Sequence, residues 1–169
     1  MKTNVRRLRA PEYNTSSPTV SQETRWRVWD AIATMPLRGS VVSVDYEARM
    51  LRAVADVARA WSGECLSTAF VGHYSALMFV CVQGHRFELL SRYIRQGVWC
   101  PECAHRRYLD EQLNEMRSVA AKYGGLCLSP EYLGTDVPHL WRCAHGKEWR
   151  ALGREIRRGH WCSCRQLAE

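Results

Sequence analysis

A chain of 169 residues with 46% hydrophobic and 24% charged residues is globular, and long enough for one domain of ordinary size or two small ones. Its formal net charge of +7 favours a polyanionic partner. The basic opening MKTNVRRLRAPEYN lacks the apolar run of a secretory signal and no stretch approaches a membrane span, so the expectation is a cytoplasmic protein with no membrane partner. In a reducing compartment, eight cysteines point to metal rather than to a disulfide framework.

Residues 1–20 read as a mobile basic arm, with Arg6, Arg7 and Arg9 ahead of the turn-prone PEYNTSSP. Residues 21–44 read as a short helix and a linker. Ser21 is a candidate N-cap, Trp26, Trp29, Ile32 and Ala33 recur at helical spacing, and Pro36 follows the helix. The tryptophans of this helix also offer a dock for a protein partner. Ser43 is placed to cap a second helix, Asp45 to Trp61, whose Tyr46, Met50, Val54, Val57 and Trp61 fall on one face and which Gly63 ends.

Four soft metal donors follow in two close pairs. Cys81 and His85 form C-x3-H, with Gly84 turning the chain between β-forming flanks; Cys100 and Cys103 form C-x2-C around Pro101. Two short-range pairs lower the entropy of gathering four donors around a tetrahedral zinc ion, and the set is closed, as structural sites are. Because the thiolates bind only when deprotonated, the free energy of metal binding becomes folding free energy.

Shifting the sequence by 62 residues aligns 57–100 with 119–162 without a gap, and sixteen of the 44 pairs are identical. Gly63, Cys65, Leu66 and Ser67 match Gly125, Cys127, Leu128 and Ser129; Cys81 and Gly84 match Cys143 and Gly146; Ile94, Arg95, Gly97, Trp99 and Cys100 match Ile156, Arg157, Gly159, Trp161 and Cys162. This is a tandem duplication. The expected fold class is α+β: two small zinc-binding modules of treble-clef or zinc-ribbon type, 45–104 and 105–169, behind a short helical N-terminal region. In each, a hairpin carries the first ligand pair and the second pair begins at W-C; in the first module that pair opens a helix, the treble-clef arrangement. The helix of the second module, about Ala104 to Tyr123, starts at the second ligand pair of the first.

The second module has diverged. Lys147 stands where His85 stands in the first and Arg165 where Cys103 stands, so two donors are lost. Cys143, His145, Cys162 and Cys164 make a replacement set with tighter C-x-H and C-x-C bites. His160 is an alternative ligand, and a metal-free second module the alternative to a second Zn2+. The chain runs only five residues past Cys164, so the terminal helix of this module is expected to be lacking. Cys65 and Cys127 read as small buried hydrophobes, and the repeated aromatics as core.

The segments GGLCLSPEY, WRCAHGKEW and GVWCPEC resemble the zinc-ribbon or treble-clef modules of bacteria and their phages, written roughly G-G-x-C-L-S-x-x-Y, W-x-C-x-x-G-H-x-W and G-x-W-C-P-x-C. Such modules occur in tandem and beside homing or restriction-type nuclease domains. The resemblance spans about Val57 to Cys164 and implies a zinc-dependent fold, traffic with nucleic acid, and an association with phages or mobile elements.

The richest basic stretch is RALGREIRRGHW, 150–161. Arg150, Arg154, Arg157 and Arg158 would line one face of a helical turn, Lys147 extends the run, and the first module has Arg92 and Arg95 at matching positions. Guanidinium groups suit phosphate geometry. The expectation is therefore a non-enzymatic, zinc-stabilised nucleic-acid-binding protein, DNA being the first partner to test. The alternatives are an adaptor docking through the Trp26/Trp29 helix and, third, a nuclease-associated protein or nuclease. No cluster of carboxylates with lysine, and no His-Asn-His set, stands apart from the zinc ligands.

Overall fold

Apolar residues at helical spacing build the first two helices of the computed structural model, which describes residues 20–37, 44–162 and 164. The first helix, α1 (Gln22–Ala33), is capped by Ser21, whose hydroxyl accepts the Thr24 N–H at 3.1 Å. Its inward face is Val28 and Ile32, continued by Val20 and Met35. The face expected from the tryptophans is not the buried one: Trp26 and Trp29 are 67% and 46% exposed. Spacing alone admitted both stripes, and the smaller side chains are the ones the neighbouring helix accepts. That neighbour, α2 (Val44–Ala60), buries Tyr46, Met50, Val54 and Val57, with Trp61 just beyond its end, as its periodicity predicts. The basic arm through residue 19, the linker 38–43 and its Ser43 cap, and residues 165–169, where the missing terminal helix is expected, lie outside the described residues.

The chain divides into two compact units between His105 and Arg106. In the first, α1 and α2 share one core with a three-stranded antiparallel sheet, β1 (Glu64–Cys65), β2 (Ala76–Val80) and β3 (Arg86–Leu90). A five-residue helix, α3 (Ser91–Arg95), follows β3. Alternation along β2 turns Leu77 and Phe79 inward, and Phe79 pairs directly across from Phe87. The second unit repeats the sheet as β4 (Leu126–Cys127), β5 (Pro138–Arg142) and β6 (Glu148–Leu152), with Trp141 across from Trp149, and α5 (Gly153–Arg157) follows β6. A long helix, α4 (Pro101–Lys122), begins at the C-x2-C pair and buries Leu113, Met116 and Ala120 in the core of the second unit. Proline suits its first position, where the missing N–H would be unpaired anyway. The described architecture is thus α+β.

The repeated residues have one structural job in both copies. Ser67 accepts the Met78 N–H and Ser129 the Leu140 N–H, each at 2.9 Å, so the serine of C-L-S continues the sheet where the short edge strand leaves it. Trp99 is the hub of the first aromatic cluster, with its ring centroid 5.3 Å from Phe79, 5.1 Å from Phe87 and 6.2 Å from a stacked Trp61. Trp161 meets Trp141 at 5.9 Å, Trp149 at 4.9 Å and stacked Tyr123 at 5.0 Å. The hub ring lies over the backbone of a glycine. A Cβ on Gly63 would stand 2.7 Å from Trp99 Cζ2 and 2.6 Å from the Val80 carbonyl oxygen, and one on Gly125 would collide with Trp161 and the Arg142 carbonyl.

Elsewhere the two cores differ. In the first unit His73 bridges Tyr46, 3.1 Å from its hydroxyl, and buried Ser91, 3.4 Å from its Oγ. In the second, Gly153 replaces Ser91 and the Met116 methyl would lie 2.9 Å from any Cβ there, while buried His139 replaces Leu77 and stacks on Tyr132 at 5.4 Å. The His139 Nε2 accepts the Leu133 N–H at 3.3 Å. Burial, helped by the charge of Arg157 and opposed by a bond to the Val137 backbone, pushes the His139 pKa below the usual histidine value.

Two tests follow from these cores. Gly63→Ala should destabilise the first unit by about 1–3 kcal/mol, since backbone and a packed indole must both yield, and denaturant melts would read it as a lowered midpoint at constant slope. A histidine whose pKa is depressed in the folded state binds its proton more readily when unfolded, so its contribution is intact above the unfolded value and is lost as pH falls below about 6.5. His139→Gln should therefore flatten the fall in stability between about pH 6.5 and 5 relative to wild type. Parallel curves for the two proteins would show that His139 does not titrate on unfolding.

Candidate functional site

The hairpin and the following helix bring four donors of the first unit together. Cys81 directly follows β2 and His85 directly precedes β3. The Cys81 N–H donates to the His85 carbonyl at 3.1 Å and the Gly84 N–H to the Cys81 carbonyl at 2.8 Å, with Gly84 at φ +81°, where a side chain would be strained. Cys100 and Cys103 straddle the start of α4, and the Cys103 N–H donates to the Cys100 sulfur at 3.4 Å, the sulfur acting as a helix cap.

Ligand atoms of Cys81, His85, Cys100 and Cys103 all lie within 4.8 Å of one another. The Cys81 and Cys103 sulfurs are 3.6 Å apart, and His85 Nδ1 is 3.4, 3.3 and 3.6 Å from the sulfurs of Cys81, Cys103 and Cys100. With metal–sulfur bonds of about 2.3 Å and a metal–nitrogen bond of about 2.0 Å, a regular tetrahedron places its donors about 3.5–3.8 Å apart. The observed edges match, so the cluster is compatible with one tetrahedral ion. Burial raises the Cys81 thiol, but the backbone N–H groups of Gln83 and His85 and the thiols of Cys103 and Cys100 outweigh it and hold its pKa below the ordinary value. Burial, with the neighbouring sulfurs, pushes Cys100 up to about 12. The protein's own dipoles thus stabilise the first negative charge and not the last; a cation at the cluster would supply what the remaining thiols need.

The second unit repeats the hairpin turn, with Gly146 at φ +82°, the Cys143 N–H on the Lys147 carbonyl and the Gly146 N–H on the Cys143 carbonyl, both at 3.0 Å. Cys143, His145 and Cys164 form a compact trio, in which the two sulfurs are 3.8 Å apart, again a tetrahedral edge. Cys162 stands differently. Its sulfur is only 2.7 Å from that of Cys164, too close for both to ligate one ion without a shift, and it falls outside the trio. His160 turns away to Glu155, Nδ1 to Oε2 2.8 Å, and joins no cluster. Burial raises the Cys143 thiol, but bonds from the backbone of His145, the Cys162 thiol, the Lys147 backbone and the Cys164 thiol hold it down at about 7. The bond with Cys162, then burial, pushes Cys164 up to about 11. A pocket of about 140 Å³ opens beside this cluster, lined by Tyr123, Ala144 and Trp161 as well as the four sulfur and imidazole residues. Cys65 and Cys127 lie away from both clusters, with thiols raised by burial.

The basic residues form no single helical face. Arg150 sits exposed on strand β6, across from Leu140, because the period-2 pairing of the hairpin runs through it to Leu152; only Arg154 and Arg157 belong to α5, and Arg158 caps it. Each of those three meets a carboxylate: Arg154 with Asp136 at 2.7 Å, Arg157 with Glu115 at 2.8 Å, and Arg158 with Glu155 at 3.2 Å. Lys147 is exposed on the hairpin turn. In the first unit Arg92 lies over the Tyr93 ring, 4.8 Å from its centroid, and Arg95 donates to the carbonyls of Met35 and Pro36, which fastens the end of α1 to its unit. Arg95 is thereby a packing residue rather than a free cation. Arg6, Arg7 and Arg9 are outside the described residues. The carboxylate partners escaped the sequence reading because they lie 18 to 42 positions away or face the arginines only across a turn.

Among the described residues no helix is long and apolar enough to cross a membrane. Cys100→Ser should abolish metal binding by the first cluster and, since ligation and folding are coupled, lower the stability of the first unit by several kcal/mol, as chelation should in the parent protein. Circular dichroism melts with and without chelator check this, and an unchanged melt in both would detach the cluster from the fold. Comparison of the chain with family models, with curated proteins and with solved structures gives no match, so the site must be read from its own geometry.

Proposed function

We propose that the protein is a non-enzymatic, zinc-stabilised nucleic-acid-binding protein, DNA before RNA, built from two modules of treble-clef type. The observation that carries the zinc reading is the first cluster: three sulfurs and one imidazole nitrogen at tetrahedral spacing, a donor set that suits zinc. A first pair on a hairpin turn and a second pair at a helix start supports the treble-clef assignment. Four protein ligands leave a bound ion no open position, which favours a structural role. Zinc here would supply folding energy and fixed geometry. In the second module Cys143, His145 and Cys164 would hold the ion, and Cys162, whose sulfur crowds that of Cys164, would stay outside the set.

The partner is inferred from charge. The chain carries +7, and Arg150, Arg154, Arg158 and Lys147 are exposed on the second unit. The surface pairs with Asp136 and Glu155 are exposed to solvent and contribute little, so a phosphate can take the place of a carboxylate. A second reading has its own observation: Trp26 and Trp29, three residues apart and outward-facing on a helix that buries its other side, suit a protein partner.

Salt dependence separates the two. Nucleic-acid binding should weaken linearly with the logarithm of salt, by about 0.9 per neutralised phosphate on duplex DNA. Replacing Arg154, Arg157 and Arg158 with Gln should weaken binding alike on unrelated duplexes and lower the slope by about two to three, with zinc content unchanged. Asp136→Asn with Glu155→Gln should tighten binding, because the competing carboxylates are gone. Equal affinity and slope for the triple variant and wild type would discard this face; no binding at low salt to duplex or single strand would leave the Trp26/Trp29 face as the working surface.

A further inference from the structure

The two clusters offer the same chemistry in different states of protection. In the first, Cys100 is fully buried and Cys81 nearly so, and the 3.6 Å between the Cys81 and Cys103 sulfurs suits ligands on one ion. In the second, Cys162 and Cys164 are half-buried, line the open pocket of about 140 Å³, and bring their sulfurs to 2.7 Å. That distance is nearer to a bond than to a ligand edge. Cys162, moreover, is the sulfur left outside the trio, so an ion held by Cys143, His145 and Cys164 would not shield it.

We propose that Cys162 and Cys164 form a peroxide-oxidisable pair whose closure to a disulfide dismantles the second metal site while the first is retained. The release of metal rests on the zinc reading of the second cluster; the oxidation of the pair does not. The Cys162 thiolate attacks one oxygen of a hydroperoxide, the O–O bond breaks, and the departing oxygen takes a proton as alcohol or water. Cys162 is then a sulfenic acid. The Cys164 thiolate attacks its sulfur, the S–S bond forms, and the sulfenic oxygen leaves as water after taking a proton. Two electrons pass from the two sulfurs to the peroxide, and the protons come from the thiols or, if these were metal-bound thiolates, from solvent. A disulfide sulfur is no longer an anionic donor, so the ion keeps only Cys143 and His145 and leaves. Thiol reduction with zinc restores the site.

The test uses the full chain as purified, with zinc counted by elemental analysis, one equivalent of hydrogen peroxide added, released zinc followed with a chromogenic chelator, and alkylated peptides mapped by mass. The expected result is a Cys162–Cys164 link, two hydrogens lighter, release of one of two ions, and at least a tenfold slower release in Cys162→Ser, roughly the span that thiolate access commands. Far-UV circular dichroism and retention of the first ion confirm that the variant is folded, and the wild-type peptide map stands without it. A link between other cysteines, equal loss of both ions, or release from Cys162→Ser at the wild-type rate would overturn the proposal. One ion per chain before peroxide would overturn the metal reading of the second cluster and with it the release, and is distinguishable because the peptide map still reports on the pair.

Discussion

The contact on which each unit depends is an indole laid over a glycine. Trp99 and Trp161 leave no room for a Cβ on Gly63 and Gly125, and each tryptophan is followed directly by the first cysteine of its second pair. Packing and the gathering of the candidate donors are therefore one constraint. The ring can reach the glycine backbone only if the preceding helix ends where it does, and here the endings agree: the Gly63 N–H donates to the Ala58 carbonyl at 2.9 Å and the Gly125 N–H to the Ala120 carbonyl at 3.0 Å. Once the indole is seated against the hairpin aromatics, Cys100 or Cys162 is delivered to the hairpin turn without further choice. Small cores of this kind have little apolar area to spare, and a fixed aromatic hub lets a few residues set where the following cysteine stands.

The clusters show what this constraint leaves free. Seating the indole places only the cysteine that follows it; the rest of the pair depends on local spacing. With two intervening residues, Cys103 lands in the first turn of α4 and its sulfur stands 3.6 Å from that of Cys81. With one intervening residue, Cys164 reaches Cys143 at a comparable 3.8 Å but crowds Cys162. His145 stands in for the lost imidazole from the other side of the turn glycine, which explains how a cluster survives Lys147 at the position of His85.

Much of this was legible in the sequence because duplication gives each position a second reading. The hairpins, the α2 face and the gathering of Cys81, His85, Cys100 and Cys103 follow from period and spacing. What escaped is what needs a neighbour to decide it. On α1 two apolar stripes compete, and α2 selects Val28 and Ile32 over the tryptophans. Arg150 shares helical spacing with Arg154 but sits in a strand, because pairing with β5 holds the chain extended through Leu152. Ser67 and Ser129 were visible as identities, yet their role as acceptors for the next strand is a backbone matter that side-chain chemistry does not announce.

Tandem copies of one fold carry a hazard of their own, since a segment of one copy can pair with the frame of the other while both are forming. The exchanged inner residues guard against that. A β2–β3–α3 segment placed in the second frame would bring Leu77 where His139 belongs and a Ser91 Cβ into the space held by the Met116 methyl; the reverse exchange would leave Tyr46 and His73 without the Ser91 hydroxyl and bury an imidazole where Leu77 packs. Each frame thus penalises its sibling's parts. The divergence of the two cores works as a lock and key within one chain, keeping sixteen shared residues from becoming an invitation to misassemble.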